Sequence, residues 1–113
     1  MIQATFTEKG NRLSLQIEGH AGYAEEGKDI VCSSATILAY TVAQFVLEAE
    51  KKGDLASPAE IRLDSGDTVI TCDPSEDAFP MIKDVYSFAQ MGYAILAYNY
   101  PKYVQVNEFG QAE

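Results

Sequence analysis

The strongest constraint on the fold is a change of hydrophobic period along the chain. Ile2, Ala4 and Phe6 alternate with polar residues, Glu8-Lys9-Gly10-Asn11 supplies a turn, and Leu13, Leu15 and Ile17 alternate again. A period of two sets these apolar side chains on one face, so residues 1–17 predict a β-hairpin with one buried face. From about Ile30 to Lys52 the period becomes helical, with Val31, Ala35, Leu38, Val42, Phe45 or Val46, and Ala49 in one stripe. Lys51, Lys52 and Gly53 suit its C-terminus, placing cations at the negative end and a glycine where positive φ is needed.

A second hairpin is predicted from Ile61 and Leu63, a turn at Asp64-Ser65-Gly66-Asp67, and Thr68–Cys72. A second helix then starts near Phe79 or Pro80 and runs toward Ala97 or Asn99, with Ile82, Val85, Ala89, Gly92 or Tyr93, and Leu96 facing inward. Gly92 in mid-helix points to close packing of the two helices. Pro101 ends this helix, Tyr103–Asn107 forms a closing strand, and Glu108–Glu113 is a polar tail. The order β-β-α-β-β-α-β predicts an α/β protein of α+β type. Its apolar faces cover one another in a two-layer sandwich, an antiparallel or mixed five-strand sheet with two main helices against it. At 113 residues the chain is expected to form one domain over 1–113.

Chemistry concentrates between the first hairpin and the first helix, where residues 19–36 read GHAGYAEEGKDIVCSSAT. His20, the only histidine, leaves the end of a strand, and Cys32 falls at the start of the helix. A helix N-terminus and a neighbouring imidazole both favour thiolate over thiol. Gly19, Gly22 and Gly27 allow the loop to turn tightly, and its charged residues Glu25, Glu26, Lys28 and Asp29 keep it at the surface, where sites commonly lie. With Asp29 as N-cap, Cys32 is the third helical residue and the carboxylate can hold its N–H. The same carboxylate can instead orient His20 as the third member of a triad. Ser33 and Ser34 are alternative caps whose hydroxyls can lie near an oxyanion, and backbone N–H groups around Cys32 are candidate oxyanion donors. Tyr23 is either a substrate-facing aromatic or a loop anchor. The spacing of His20 and Cys32 defines no general motif, and a structural role for both is the plain alternative.

The stretch resembles the signature of the ribosomal-processing cysteine proteases, small bacterial proteins marked by G-H-A, a short loop with G-x-D, and I-V-C-A/S. Here Gly19-His20-Ala21, Gly27, and Asp29-Ile30-Val31-Cys32-Ser33-Ser34-Ala35 carry the match. One departure is Thr36, where the family often has serine; a hydroxyl is retained. The resemblance implies that His20 and Cys32 are the catalytic pair of a cysteine endopeptidase without a cofactor. It also implies a homodimer that removes a short N-terminal extension from a basic large-subunit ribosomal protein, cutting after a hydrophobic and aromatic recognition sequence.

A net charge of −9 argues against a direct grip on nucleic acid and would attract a basic protein or peptide, while an acidic surface that serves solubility is the plain alternative. No signal peptide and no membrane span is expected, because the N-terminus lacks a basic start before an apolar run and Thr41, Gln44 and Glu48 interrupt the helix. The cytoplasm follows as the expected compartment, with Cys32 and Cys72 as free thiols and Cys72 a small core residue. Metal binding is not expected, since one histidine and two distant cysteines give no close ligand pair. Phe88, Tyr93, Tyr98, Tyr100 and Tyr103 make the C-terminal part aromatic, suited to core, peptide groove or dimer contact. Two rival functions use the same residues: a non-enzymatic ribosome-associated binding or assembly module, and a small-molecule thiol hydrolase or redox protein.

Overall fold

The computed structural model describes residues 1–25 and 27–110, so Glu26 and the last residues of the expected polar tail lie outside the described residues. Strands β1 (Ile2–Lys9) and β2 (Arg12–Glu18) lead into helix α1 (Ile30–Lys51); β3 (Glu60–Asp64) and β4 (Asp67–Cys72) lead into α2 (Phe79–Asn99), and β5 (Val104–Asn107) closes the order. The sheet runs β3-β4-β2-β1-β5. Its pairs are antiparallel except β1 with β5, which is parallel. The sheet is therefore mixed, and α2 carries the chain across it from β4 to the opposite edge.

The period of two does what it implies. Phe6 lies opposite Leu15, Leu15 opposite Ile70, and Ile70 opposite Ile61, so one apolar row crosses four strands. This face is buried against both helices in one core, while Gln3, Gln16, Glu18 and Arg62 on the other face are exposed. In α1 the buried row includes Ala39, Ala43 and Val46, and Leu38 and Phe45 sit at its margin. By length and composition alone α1 is able to cross a membrane, which corrects the expectation that its polar residues are too frequent. Its row from Val31 to Ala49 is instead packed into the core.

In α2 the inward row is Ile82, Tyr86, Ala89, Tyr93 and Leu96. Tyr86 takes the place expected for Val85, which is half-buried. A phenol is buried there because its hydroxyl donates to the Ile70 carbonyl at 3.0 Å; likewise Tyr93 donates to the Ala35 carbonyl at 2.7 Å and ties α2 to α1. A paired hydroxyl escapes the penalty of an unsatisfied buried polar group. Gly92 faces Leu38 so closely that a Cβ there would lie 2.9 Å from Leu38 Cδ2. The helices approach at that point because the side chain is missing.

Candidate active site

Asp29 is where the loop and the helix are joined. Its backbone is extended (φ −83°, ψ 99°), so its side chain turns back over the first turn of α1. Oδ1 accepts from the N–H of Val31 at 3.0 Å and of Cys32 at 2.9 Å. Oδ2 accepts from the N–H of Tyr23 at 3.0 Å and of Ala24 at 3.3 Å. The carboxylate thus satisfies helix donors that would otherwise lack partners, and fastens the loop with its second oxygen. Burial works against its charge, but the four backbone donors outweigh burial and hold its pKa below the ordinary carboxylate value. With both oxygens occupied in this way, the cap is the arrangement realised.

Cys32 is half-buried in that first turn. Its Sγ accepts from the Ala21 N–H at 3.4 Å, so the residue after His20 rests on the sulfur. The Ser33 hydroxyl donates to the Asp29 carbonyl at 3.0 Å and the Ser34 hydroxyl to the Ile30 carbonyl at 2.7 Å. Both are drawn to the helix backbone. The Ser33 N–H also donates to the Asp29 carbonyl at 3.0 Å. Backbone N–H groups of Val31, Cys32 and Ser33, expected as oxyanion donors, are therefore already engaged by Asp29.

Two residues beyond β2, His20 is exposed. Gly19 before it has φ of 91°, and a Cβ there would lie 2.3 Å from the Met1 carbonyl oxygen, so only glycine fits. The Gly19 N–H donates to the Gly66 carbonyl at 3.0 Å, linking the approach to His20 with the β3–β4 turn. Gly22 and Gly27 also have positive φ.

His20 and Cys32 line the same groove, of about 900 Å³. Asp29, Ser33 and Thr36 are on its wall with them, as are Gly19, Gly22 and Gly27. Sequence reasoning missed Ile37 and Tyr40 of α1 and Leu63 of β3, which give the groove an exposed apolar side. Ile37 and Tyr40 carried a signal, since both are apolar and fall outside the core stripe. Leu63 and the β3–β4 turn carried none, because only the sheet order brings them there. Tyr23 is not among the groove-lining residues, although Gly22 and Ala24 beside it are, and its ring packs edge-on against Tyr100 and Tyr103, with ring centroids 5.5 and 5.2 Å away. That contact anchors the loop.

Cys72 is a free thiol buried against Tyr86. It pairs with Leu13 at the start of β2, whereas Cys32 contacts the chain beyond the end of that strand. The intervening strand is roughly 20 Å long, too far for a disulfide. Burial pushes the Cys72 thiol pKa up.

The family described as Cysteine protease Prp matches residues 1–105, a span that includes Gly19, His20 and Cys32. No curated protein matches the sequence. Among solved structures, an essential ribosomal processing protease Prp from S. aureus, with a covalently linked product peptide, is similar in fold. Its TM-score is 0.75 at 18% identity, covering 96% of this chain and 99% of that one. A second S. aureus Prp structure, with a substrate peptide, has a TM-score of 0.66 at 15% identity over 96% and 99% of the two chains. A protein from Streptococcus mutans shares 27% identity, with a TM-score of 0.64 over 95% of this chain and 92% of that one.

Proposed function

The chain belongs to the cysteine protease Prp family, and from that premise we propose that residues 1–113 act as one endopeptidase domain, with Cys32 as nucleophile and His20 as general base. Its substrate is the precursor of a basic large-subunit ribosomal protein, from which it removes a short N-terminal extension. One observation carries this reading: His20 and Cys32 line one open groove, with the Ala21 N–H resting on Cys32 Sγ.

His20 takes the thiol proton, the thiolate adds to the scissile carbonyl, and His20 returns the proton to the leaving amine. Water, deprotonated by His20, then hydrolyses the thioester and frees the new carboxylate and the Cys32 thiol. Because Asp29 occupies the donors of the first helical turn, the Ala21 N–H serves the oxyanion, moving from the Cys32 sulfur to the neighbouring oxygen as the carbonyl is attacked. Asp29 itself fixes the turn that carries Cys32.

The apolar side of the groove, Ile37, Tyr40 and Leu63, suits a hydrophobic and aromatic recognition sequence. Asp64 on the same groove, within a chain of net charge −9, suits a basic substrate. The ribosomal processing role named for the S. aureus Prp structures supports this substrate class. The protein acts in the cytoplasm as a homodimer, for which the outer face of α2 is the contact: Met81, Phe88, Met91, Ile95 and Tyr98 recur along it and are exposed.

The test is incubation of the purified protein with a tagged precursor, beside folded Cys32→Ala and His20→Ala variants. Wild-type cleavage that both variants lose is the expected result, with a peptide acyl adduct on Cys32 by mass spectrometry. Binding without cleavage by the wild type would leave an assembly module, and a small-molecule adduct alone would leave a thiol hydrolase.

A further inference from the structure

The β3–β4 turn lies far from His20 in sequence, yet the imidazole occupies the space that a side chain at position 66 would need. A Cβ on Gly66 would lie 2.6 Å from His20 Nε2, 3.1 Å from Cε1 and 3.4 Å from Cδ2. Its three nearest neighbours are thus atoms of one ring. The Gly66 carbonyl also accepts the Gly19 N–H at 3.0 Å, so the same residue holds the chain just before His20. The turn itself needs glycine as well, since φ is 73°. Gly10, in the β1–β2 turn, has a similar φ of 61° but nothing within 4 Å of the place its Cβ would take. The two glycines therefore share a backbone requirement and differ in the ring.

We infer that Gly66 is a positioning residue for the proposed catalytic pair, a bare shelf that lets the His20 imidazole lie over the β3–β4 turn on the wall of the groove it shares with Cys32. This rests on the peptidase reading in taking His20 as the base. A methyl group at 66 would strain the left-handed turn as one at Gly10 would, but the contact peculiar to 66 is with the far end of a flexible side chain. There the imidazole gives way. A general base works only within hydrogen-bond reach of its proton, and a displacement on the order of 1 Å lowers the rate by about 100-fold.

The experiment compares Gly66→Ala with Gly10→Ala, which carries the same left-handed strain without the ring contact. On a precursor-derived peptide, Gly66→Ala is expected to lose about 100-fold in kcat/KM relative to Gly10→Ala, almost all of it in kcat. The His20 ring proton resonances shift in Gly66→Ala and stay at wild-type positions in Gly10→Ala. Gly66→Asn, which tolerates the left-handed backbone, gives the same two effects and covers the case in which the alanine variant folds poorly. Equal activity and unmoved ring resonances in the folded position-66 variants would overturn the shelf. If the wild type cleaves no peptide, the peptidase reading falls, and the ring resonances still decide the shelf.

Discussion

Asp29 Oδ1 holds the Cys32 N–H at 2.9 Å while the same carboxylate, through Oδ2, holds the Tyr23 N–H at 3.0 Å. One side chain thus fixes the turn that carries Cys32 and the loop that carries His20 relative to each other. Asp29→Ala removes the acceptor for four backbone donors. Loss of a helix cap destabilises by about 1–2 kcal/mol, and peptide cleavage should fall at least about tenfold as the two groups drift. Asp29→Asn keeps one acceptor oxygen and should fall between. Thermal melts and peptide kinetics on the same samples check both.

Acid should loosen this joint. The Asp29 pKa is depressed in the folded state, so on acidification the unfolded chain binds the proton first. The stabilisation is fully present above the unfolded carboxylate pKa, about 4, and is lost as pH falls through the lower folded value. Asp73 is shifted the same way by hydrogen bonds from Arg12 and Ser57. That pair lies at the surface, with Arg12 59% exposed, where solvent screens it. Urea melts across the acid range should therefore flatten more in Asp29→Asn than in Asp73→Asn.

The two thiols should react at very different rates. Cys32 faces the groove, while Cys72 is 1% exposed with its pKa raised by burial. A thiol reagent should modify one cysteine in the native protein and the second only after unfolding. At the alkaline end the linkage reverses sign. Cys72, Tyr86 and Tyr93 all have raised pKa values, chiefly through burial. Stability should fall as pH rises past the unfolded values, about 8.5 for the thiol and 10 for the phenols.

Leu38 decides the sign of a substitution at Gly92. Alanine is favoured over glycine in a helix by about 1 kcal/mol, but its methyl would lie 2.9 and 3.0 Å from the Leu38 methyl carbons. In the wild type, Gly92→Ala should destabilise by roughly 1 kcal/mol through overpacking. In a Leu38→Ala background it should stabilise. A double-mutant cycle on denaturant melts gives the coupling directly.

Tyr86→Phe keeps the ring and deletes the hydroxyl that donates to the Ile70 carbonyl. About 1 kcal/mol of stability should be lost, with cleavage of the peptide unchanged, since this contact lies in the core away from the groove.

Periodicity alone determined the order of elements, and local chemistry determined the cap at Asp29 and the placement of Cys32 in the first turn of α1. Both are short-range properties: a side chain's face follows from its own strand or helix, and a cap acts within three residues. The family signature added the expectation that His20 and Cys32 belong together. What the sequence left open was everything set by contacts between distant segments. The β3-β4-β2-β1-β5 order brings the β3–β4 turn beside His20, and no hydrophobic period encodes which strand edges meet. Tyr86 rather than Val85 enters the core because a carbonyl of β4 happens to satisfy its hydroxyl. Gly66 reads in the sequence as an ordinary turn glycine, like Gly10, and only the tertiary structure places an imidazole where its side chain would be.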